Sequence, residues 1–414
     1  MNSLTRRKLG DISDSCLGKM LDKEKNKGDF HPYLANYNVR WGNFDLSDIQ
    51  EMKFEDHEHD RYGLEYGDLV ICEGGEPGRC AVWRDNTPEM KIQKALHRLR
   101  VKSGFSYDFL YYRMLLASRT GELQKYFIGS TIKHLTGVAL KQVEFDFPSL
   151  ERQGAIAAVL RSFDQKIELN NRINSELEAM AKTLYDYWFV QFDFPDANGK
   201  PYKASGGKMV YNDTLKREIP EGWSDKTLSQ IANITMGQSP AGSSYNEEGT
   251  GTIFYQGSTD FGWLFPATRQ YTTAPSRMAK KGDILLSVRA PVGDMNIANT
   301  DCCIGRGLAA LNSKTGSDGF LFYVMKYFKQ IFDRRNSEGT TFGSITKNDL
   351  HSLTLAYPTA ELLEKYDEVV TNYNKMIFER SLENCELVSL RDWLLPMLMN
   401  GQVTVKPSSE SNKA

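Results

Sequence analysis

The chain carries one unit twice, and no other feature of its 414 residues limits the possible folds as strongly. Phe109-Leu110-Tyr111-Tyr112 is answered by Phe320-Leu321-Phe322-Tyr323, and Gly67-Asp68-Leu69-Val70 by Gly282-Asp283-Ile284-Leu285. GSTIKHLTGVAL, from Gly129, is answered by GTTFGSITKNDL, from Gly339, and Pro148 and Glu151 by Pro358 and Glu361. From Gly129 onward the offset holds near 210 residues without a gap, and upstream it drifts as loop insertions would make it drift. Solenoid repeats run to roughly 20–50 residues, so this is a duplicated domain.

Both copies present their parts in one order. Short β-like runs bounded by Gly and Pro come first (LVIC and AVW, then ILLSV), followed by an apolar helix (FLYYRMLLAS, FLFYVMKYF). The Gly-Ser/Thr-Thr loop and a strand ending in Phe-Pro or Tyr-Pro follow, and a long helix closes the copy. In the first closing helix Ile156, Leu160, Phe163, Ile167, Asn170, Asn174, Leu177, Ala181, Leu184 and Trp188 recur at steps of four and three, a heptad seam. The second seam reads Tyr366, Val370, Tyr373, Ile377, Arg380, Asn384, Leu387, Arg391, Leu394 and Leu398. Both turn polar midway, with Asn174 and Asn384 at matching positions, and a polar seam residue costs stability while fixing register. An unpaired seam this long would leave an apolar stripe in water. The two helices are therefore expected to pair as an antiparallel coiled coil.

The expected fold class is α+β: two similar α/β domains joined by two long helices, pseudo-two-fold symmetric about an axis near Asn174 and Asn384. The expected boundaries are 1–150 for the first domain, 151–192 for its helix, 193–222 for a linker and 223–360 for the second domain. The second helix takes 361–401, and 402–414 is a flexible tail.

A formal net charge of −2 carries no global basic signature, so a nucleic-acid binder of this composition must gather its cations on one face. No run reaches the roughly 18 apolar residues of a membrane span, and MNSLTRRKLG lacks the apolar stretch of a signal peptide. The six cysteines form no Cys-x-x-Cys pair, which argues against a disulfide framework or zinc site and points to a reducing cytoplasm.

The run from Gly129 to Trp223 closely resembles the central region of the specificity subunit of type I restriction-modification enzymes: GSTIKHLTGVALKQVEFDFPSLERQGAIAAVLRSFDQKIELNNRINSELEAMAKTLYDYWFVQFDFPDANGKPYKASGGKMVYN and onward. The C-terminal GTTFGSITKNDL, YPTAELLEKYDEVV and LRDWLLPMLMNGQV resemble that region's second, more divergent repeat. The two variable regions match only at scattered points such as Glu76-Pro77-Gly78 and Lys281-Gly282-Asp283. The resemblance implies that each variable region is a target recognition domain reading one half of a bipartite site on double-stranded DNA. It implies that the paired helices set the spacer and dock two modification subunits, which methylate adenine, and that translocating restriction subunits join them. S-adenosylmethionine, ATP and Mg are then expected on those partners, with no cofactor or metal in this chain.

The sequence agrees on chemistry. It has no Pro-Pro for an adenine methyltransferase motif, and Gly207-Lys208 is followed by Met209 where a P-loop needs Ser or Thr. Glu51-Met52-Lys53 and Glu89-Met90-Lys91 match a nuclease fragment too common to carry weight, His57-Glu58-His59 lies in a charged stretch, and Cys72 and Cys80 read as packing beside a turn. The chain is read as a non-catalytic recognition subunit. The competing reading is a two-domain coiled-coil interaction scaffold without DNA binding.

Phosphate contacts position and base-edge contacts specify. The expected DNA-binding residues of the first copy are Arg79 on the Gly-rich turn 73–79, the run Lys91, Gln93, Lys94, His97 and Arg98, and the loop residues Ser130, Thr131, Lys133 and His134. Those of the second copy are Tyr255, Gln256, Ser258 and Thr259, Arg289 on the matching turn, Arg306, and Thr340, Thr341 and Ser344. The expected coiled-coil and docking residues are Leu160, Phe163, Ile167, Asn174, Leu177, Leu184, Trp188, Tyr373, Ile377, Asn384, Leu387 and Leu394.

Overall fold

A computed structural model describes residues 4–22, 26–85, 89–337 and 344–405. The chain forms two compact units, one of Met1–Ile167 with Leu387–Ala414, the other of Glu168–Glu386. Each long helix contributes to both.

In the first unit the run Leu69–Cys72 is apolar at every position because both its faces are covered. Leu69 and Ile71 face a core with Leu99 and the helix α1 (Tyr107–Arg119), and Val70 and Cys72 face a second core with Leu34, Trp83 and Leu96. This strand lies inside an antiparallel sheet ordered Ser13–Leu17, Leu96–Val101, Leu69–Cys72, Cys80–Val82. A three-stranded sheet places Asp29–Leu34 between Gln50–Phe54, antiparallel, and Lys91–Ile92, parallel. Ser106 caps α1 by accepting from Phe109 N, and Phe109, Leu110, Tyr112 and Met114 fill the core. A ribbon of Thr5–Lys8 with Glu144–Phe147 leads into α2 (Leu150–Tyr185), whose Ile156, Ala157 and Leu160 pack into the same core.

The second unit repeats this plan. Its four-stranded antiparallel sheet is ordered Ala232–Met236, Leu308–Ser313, Ile284–Ser287, Met295–Ile297. Ile284 and Leu286 face one core and Leu285 the other, with Tyr255 and Cys302. The helix α3 (Asp318–Ser337) answers α1, and the ribbon Ser224–Thr227 with Thr354–Tyr357 leads into α4 (Ala360–Met399). The short helices Gly137–Gln142 and Lys347–Ser352 are each capped by a threonine, Thr136 and Thr346.

Within each unit α2 and α4 run antiparallel. In the second unit Asn170 Nδ2 donates to Glu383 and Asn384, Asn174 Nδ2 donates to Ser381 Oγ at 3.2 Å, and the Tyr366 hydroxyl reaches Ala181 O, so partner numbers fall along one helix as they rise along the other. In the first unit Arg391 pairs with Asp164 at 2.6 Å. Leu160, Asn174, Trp188 and Ile377 are buried, and Phe163, Ile167, Leu177, Leu184, Tyr373, Asn384, Leu387 and Leu394 are half-buried. Two seam positions need correction. The buried residue after Ile377 is Ser381 and not Arg380, because Ser381 meets Asn174 while Arg380 bonds back to its own helix at Met376 O. At the C-terminal end Leu395 is buried deeper than Leu394. Part of the expected tail, from residue 406, lies outside the described residues.

Candidate nucleic-acid interface

One strip of loops is built twice. In the first unit the Gly-rich turn 73–79 sits at its centre. Glu73 N donates to Ala95 O, which brings Lys94 alongside, and Leu135 N donates to Glu73 O, which brings the loop 129–134 alongside. Asn36 Nδ2 donates to Gly74 O at 2.7 Å from the other side. In the second unit Val288 N donates to Gly307 O, beside Arg306, and Ile345 N donates to Val288 O, beside Ser344. Arg289 and Ser344 form a β-bridge. The equivalences extend further, since Gln93 N donates to Leu34 O as Gly305 N donates to Tyr255 O. Lys94 therefore corresponds to Arg306.

Two glycines let the first strip close up. Gly75 has φ +73, the left-handed region, and a Cβ on Gly74 would stand 3.0 Å from His134 Nδ1, so the imidazole lies on the turn itself.

The strip exposes Lys94, Ser130, Thr131, Lys133 and His134 in the first unit, and Gln256, Thr259, Arg289, Arg306 and Ser344 in the second, with Gln93 and Ser258 half-buried. These are the expected residues that a DNA backbone or base edge could meet. Thr340 and Thr341 lie outside the described residues.

Other expected residues face inward. Arg79 spends its guanidinium on Asn36 O, Asn36 Oδ1 and Glu76, so it braces the turn. Lys91 is 2 % exposed and burial lowers its pKa, which leaves it no face for a phosphate. Arg98 is buried and donates to Asp60 O and Gly63 O. His97 is buried against Leu135 O, and burial holds its imidazole below the usual histidine range. Tyr255 is a core residue whose hydroxyl meets Thr268. Cys72 and Cys80 are buried with their pKa values pushed up, as for inert packing thiols. Glu55, His57 and Glu58 bring ligand-type atoms within 4.8 Å of one another, yet the Glu58 carboxylate already accepts from Lys19 and from Glu55 N.

Sequence reasoning missed Asn36 and the segment after it, because a lone Asn-Tyr-Asn carries no motif; its bonds to Gly74 and Arg79 place it at the turn.

The family model for the type I restriction modification DNA specificity domain matches residues 2–179 and again 220–376. The chain belongs to this family. It is 34% identical over 271 residues to a putative type I restriction enzyme specificity subunit of Methanocaldococcus jannaschii, an alignment covering 64% of this chain and 61% of that relative. A second type I restriction enzyme specificity subunit of that organism is 27% identical over 322 residues, covering 74% of this chain and 71% of the relative. The fold is similar to the crystal structure of the type I restriction-modification S subunit from M. genitalium, with TM-score 0.57, 18% identity and 96% coverage of both chains. The two matches to the family model fall one on each copy of the duplication, so each loop strip belongs to one specificity domain. Among the described residues no helix is long and apolar enough to cross a membrane.

Proposed function

We propose that this chain is the DNA-specificity subunit of a type I restriction-modification enzyme, each unit reading one half of a two-part site. The carrying observation is the twice-built loop strip. Its backbone bonds are equivalent in the two units, while its exposed side chains differ: Lys94, Lys133 and His134 in one, Gln256, Arg289 and Arg306 in the other. A common frame with different tips suits two readers of different sequences, and Arg or Lys to guanine and Gln to adenine are the favoured major-groove pairs. The reading places methyl transfer and cleavage on partner subunits, which carry S-adenosylmethionine, ATP and Mg. In this reading the exposed apolar side chains of the paired helices, Met180 with Tyr187 in one unit and Leu390 with Trp393 in the other, serve to dock two modification subunits.

The test is co-expression with the modification subunits of the same locus, followed by mapping of methylated adenines. A two-part motif is expected, and a continuous motif or none would sink the reading. A salt titration separates it from a scaffold that binds only proteins. Lys94→Ala and Lys133→Ala should each flatten the slope of log affinity against log salt by about 1 for the purified complex on its duplex. Binding indifferent to salt would favour the scaffold.

A further inference from the structure

We propose that a hairpin at 36–45, with its counterpart at 258–267, is a further DNA-reading element of each unit, and that Tyr37 and Thr259 are its base-contacting side chains. This rests on the reading of both units as DNA readers.

The two hairpins are one structure under unlike sequences. Each opens on a single 3-10 turn, Asn36–Asn38 and Ser258–Asp260. In the first, Asp45 N donates to Asn38 O and Arg40 N to Asn43 O; in the second, Ala267 N donates to Asp260 O and Gly262 N to Phe265 O. Trp41 and Trp263 occupy the same place at the tips.

Each hairpin is fixed to the loop strip. In the first unit Asn36 bonds Gly74 O, Arg79 bonds Asn36, and Trp41 Nε1 donates to Glu76 Oε1 at 2.6 Å. Beneath them Asn38, 1 % exposed, bonds Ala35 N, Asp45 O and Asp48 O. In the second unit Ser287 Oγ donates to Ser258 Oγ, and the buried Asn296 side chain holds Gly262 through both its N–H and its carbonyl.

The residue at the middle of each 3-10 turn is left over. Tyr37 is 46 % exposed and Thr259 is exposed, while their neighbours Asn36, Asn38, Ser258 and Asp260 are drawn in. Tyr37 O accepts from the Arg40 guanidinium, which also pairs with Asp45, so the backbone of this turn is braced; in the second unit Arg269 pairs with Asp260, next to Thr259. An aromatic side chain held out on an immobilised loop loses little entropy on binding. The backbone bonds that shape the hairpin are alike in the two units, and the outward residue changes from Tyr to Thr. A protein-docking hairpin used twice for identical partners would have no reason to vary there, whereas readers of two half-sites would.

The experiment compares wild type, Tyr37→Ala and Thr259→Ala, each co-expressed with the modification subunits of the locus in a host without other adenine methylation, with methylated adenines mapped by long-read sequencing. Tyr37→Ala should reduce methylation on the order of ten-fold, or relax a base, in one half of the motif only, and Thr259→Ala should do so in the other half. Melting temperatures unchanged from wild type and undiminished copurification of the modification subunits should accompany this. Unchanged motifs and rates overturn the proposal, as do equal losses in both halves or weakened subunit assembly, which would make the hairpin a protein contact. A wild-type chain giving no two-part motif fails the underlying reading itself.

Discussion

On the proposed reading, removing one heptad from each long helix should shorten the gap between the half-sites by about three base pairs and leave both half-sites unchanged. The deletion takes residues 170–176 from α2 and 380–386 from α4. These stretches lie opposite each other, since Asn170 bonds Glu383 and Asn384, and Asn174 bonds Ser381. Seven residues are close to two helical turns, so the remaining seam keeps its face to within about 20°. The loss in length is about 10 Å at 1.5 Å per residue, or about three base pairs at 3.4 Å each. No residue of either loop strip is touched. The deleted stretch is the polar middle of the seam, so the buried Leu160 and Ile156 in one unit and Val370 and Tyr366 in the other stay in place. Methylome mapping reads spacer and half-sites from one data set. A changed half-site with an unchanged spacer would show that the helices do not act as a ruler.

The duplication was legible because both copies keep the same short runs where helices and loops must fit one frame. Phe109-Leu110 and Phe320-Leu321 are buried at the same place on α1 and α3. The strip was partly legible for the same reason, since the Gly-rich turn and the Gly-Ser/Thr-Thr loop carry their own composition. What was not legible came from distant contacts. Lys91, His97 and Arg98 read as one basic run, but Arg98 is taken in by the carbonyls of Asp60 and Gly63, more than thirty residues away. Lys94, in the same run, stays out. The hairpins escaped notice because backbone bonds, which any residue can make, hold NYNVRWGNFD and STDFGWLFPA in one shape. The seam slipped at Arg380 because Arg380 and Ser381 both satisfy heptad spacing, and only the partner helix chooses between them. Arg391 could be placed on a seam by spacing, but nothing in the sequence said what would balance its charge.

That balance comes from Asp164 together with Asp392, and the loss of Asp164 should be costly to the first unit. Its carboxylate accepts from Arg391 at 2.6 Å and from the Tyr112 hydroxyl at 2.5 Å, and Arg391 also holds Asp392, which in turn pairs with Arg119. Tyr112 is a core residue, and the side chains of Asp164 and Arg391 are 15 % and 14 % exposed. Burial and the neighbouring carboxylate both push the Tyr112 hydroxyl to ionise far above its usual range, so it stays a donor at any working pH. Asp164→Ala leaves the Tyr112 hydroxyl without its acceptor and the Arg391 guanidinium with Asp392 alone, in a poorly hydrated place. Breaking such a pair from one side costs about 3 kcal/mol, which for a unit of this size lowers the melting temperature by roughly 6–12 °C. Asp164→Asn should fall between, because the amide oxygen still accepts from Tyr112 while Arg391 keeps only the Asp392 carboxylate. Arg391→Ala added to Asp164→Ala should recover part of the loss, since removing both charges leaves neither stranded. Strictly additive losses in that double-mutant cycle would show that the pair contributes nothing beyond its separate contacts. The second unit supplies the internal comparison, because at the positions answering Asp164 and Arg391 it carries Asn374 and Ala181. There the Tyr323 hydroxyl that answers Tyr112 bonds no side chain, so Asn374→Ala should cost far less than Asp164→Ala under the same melt.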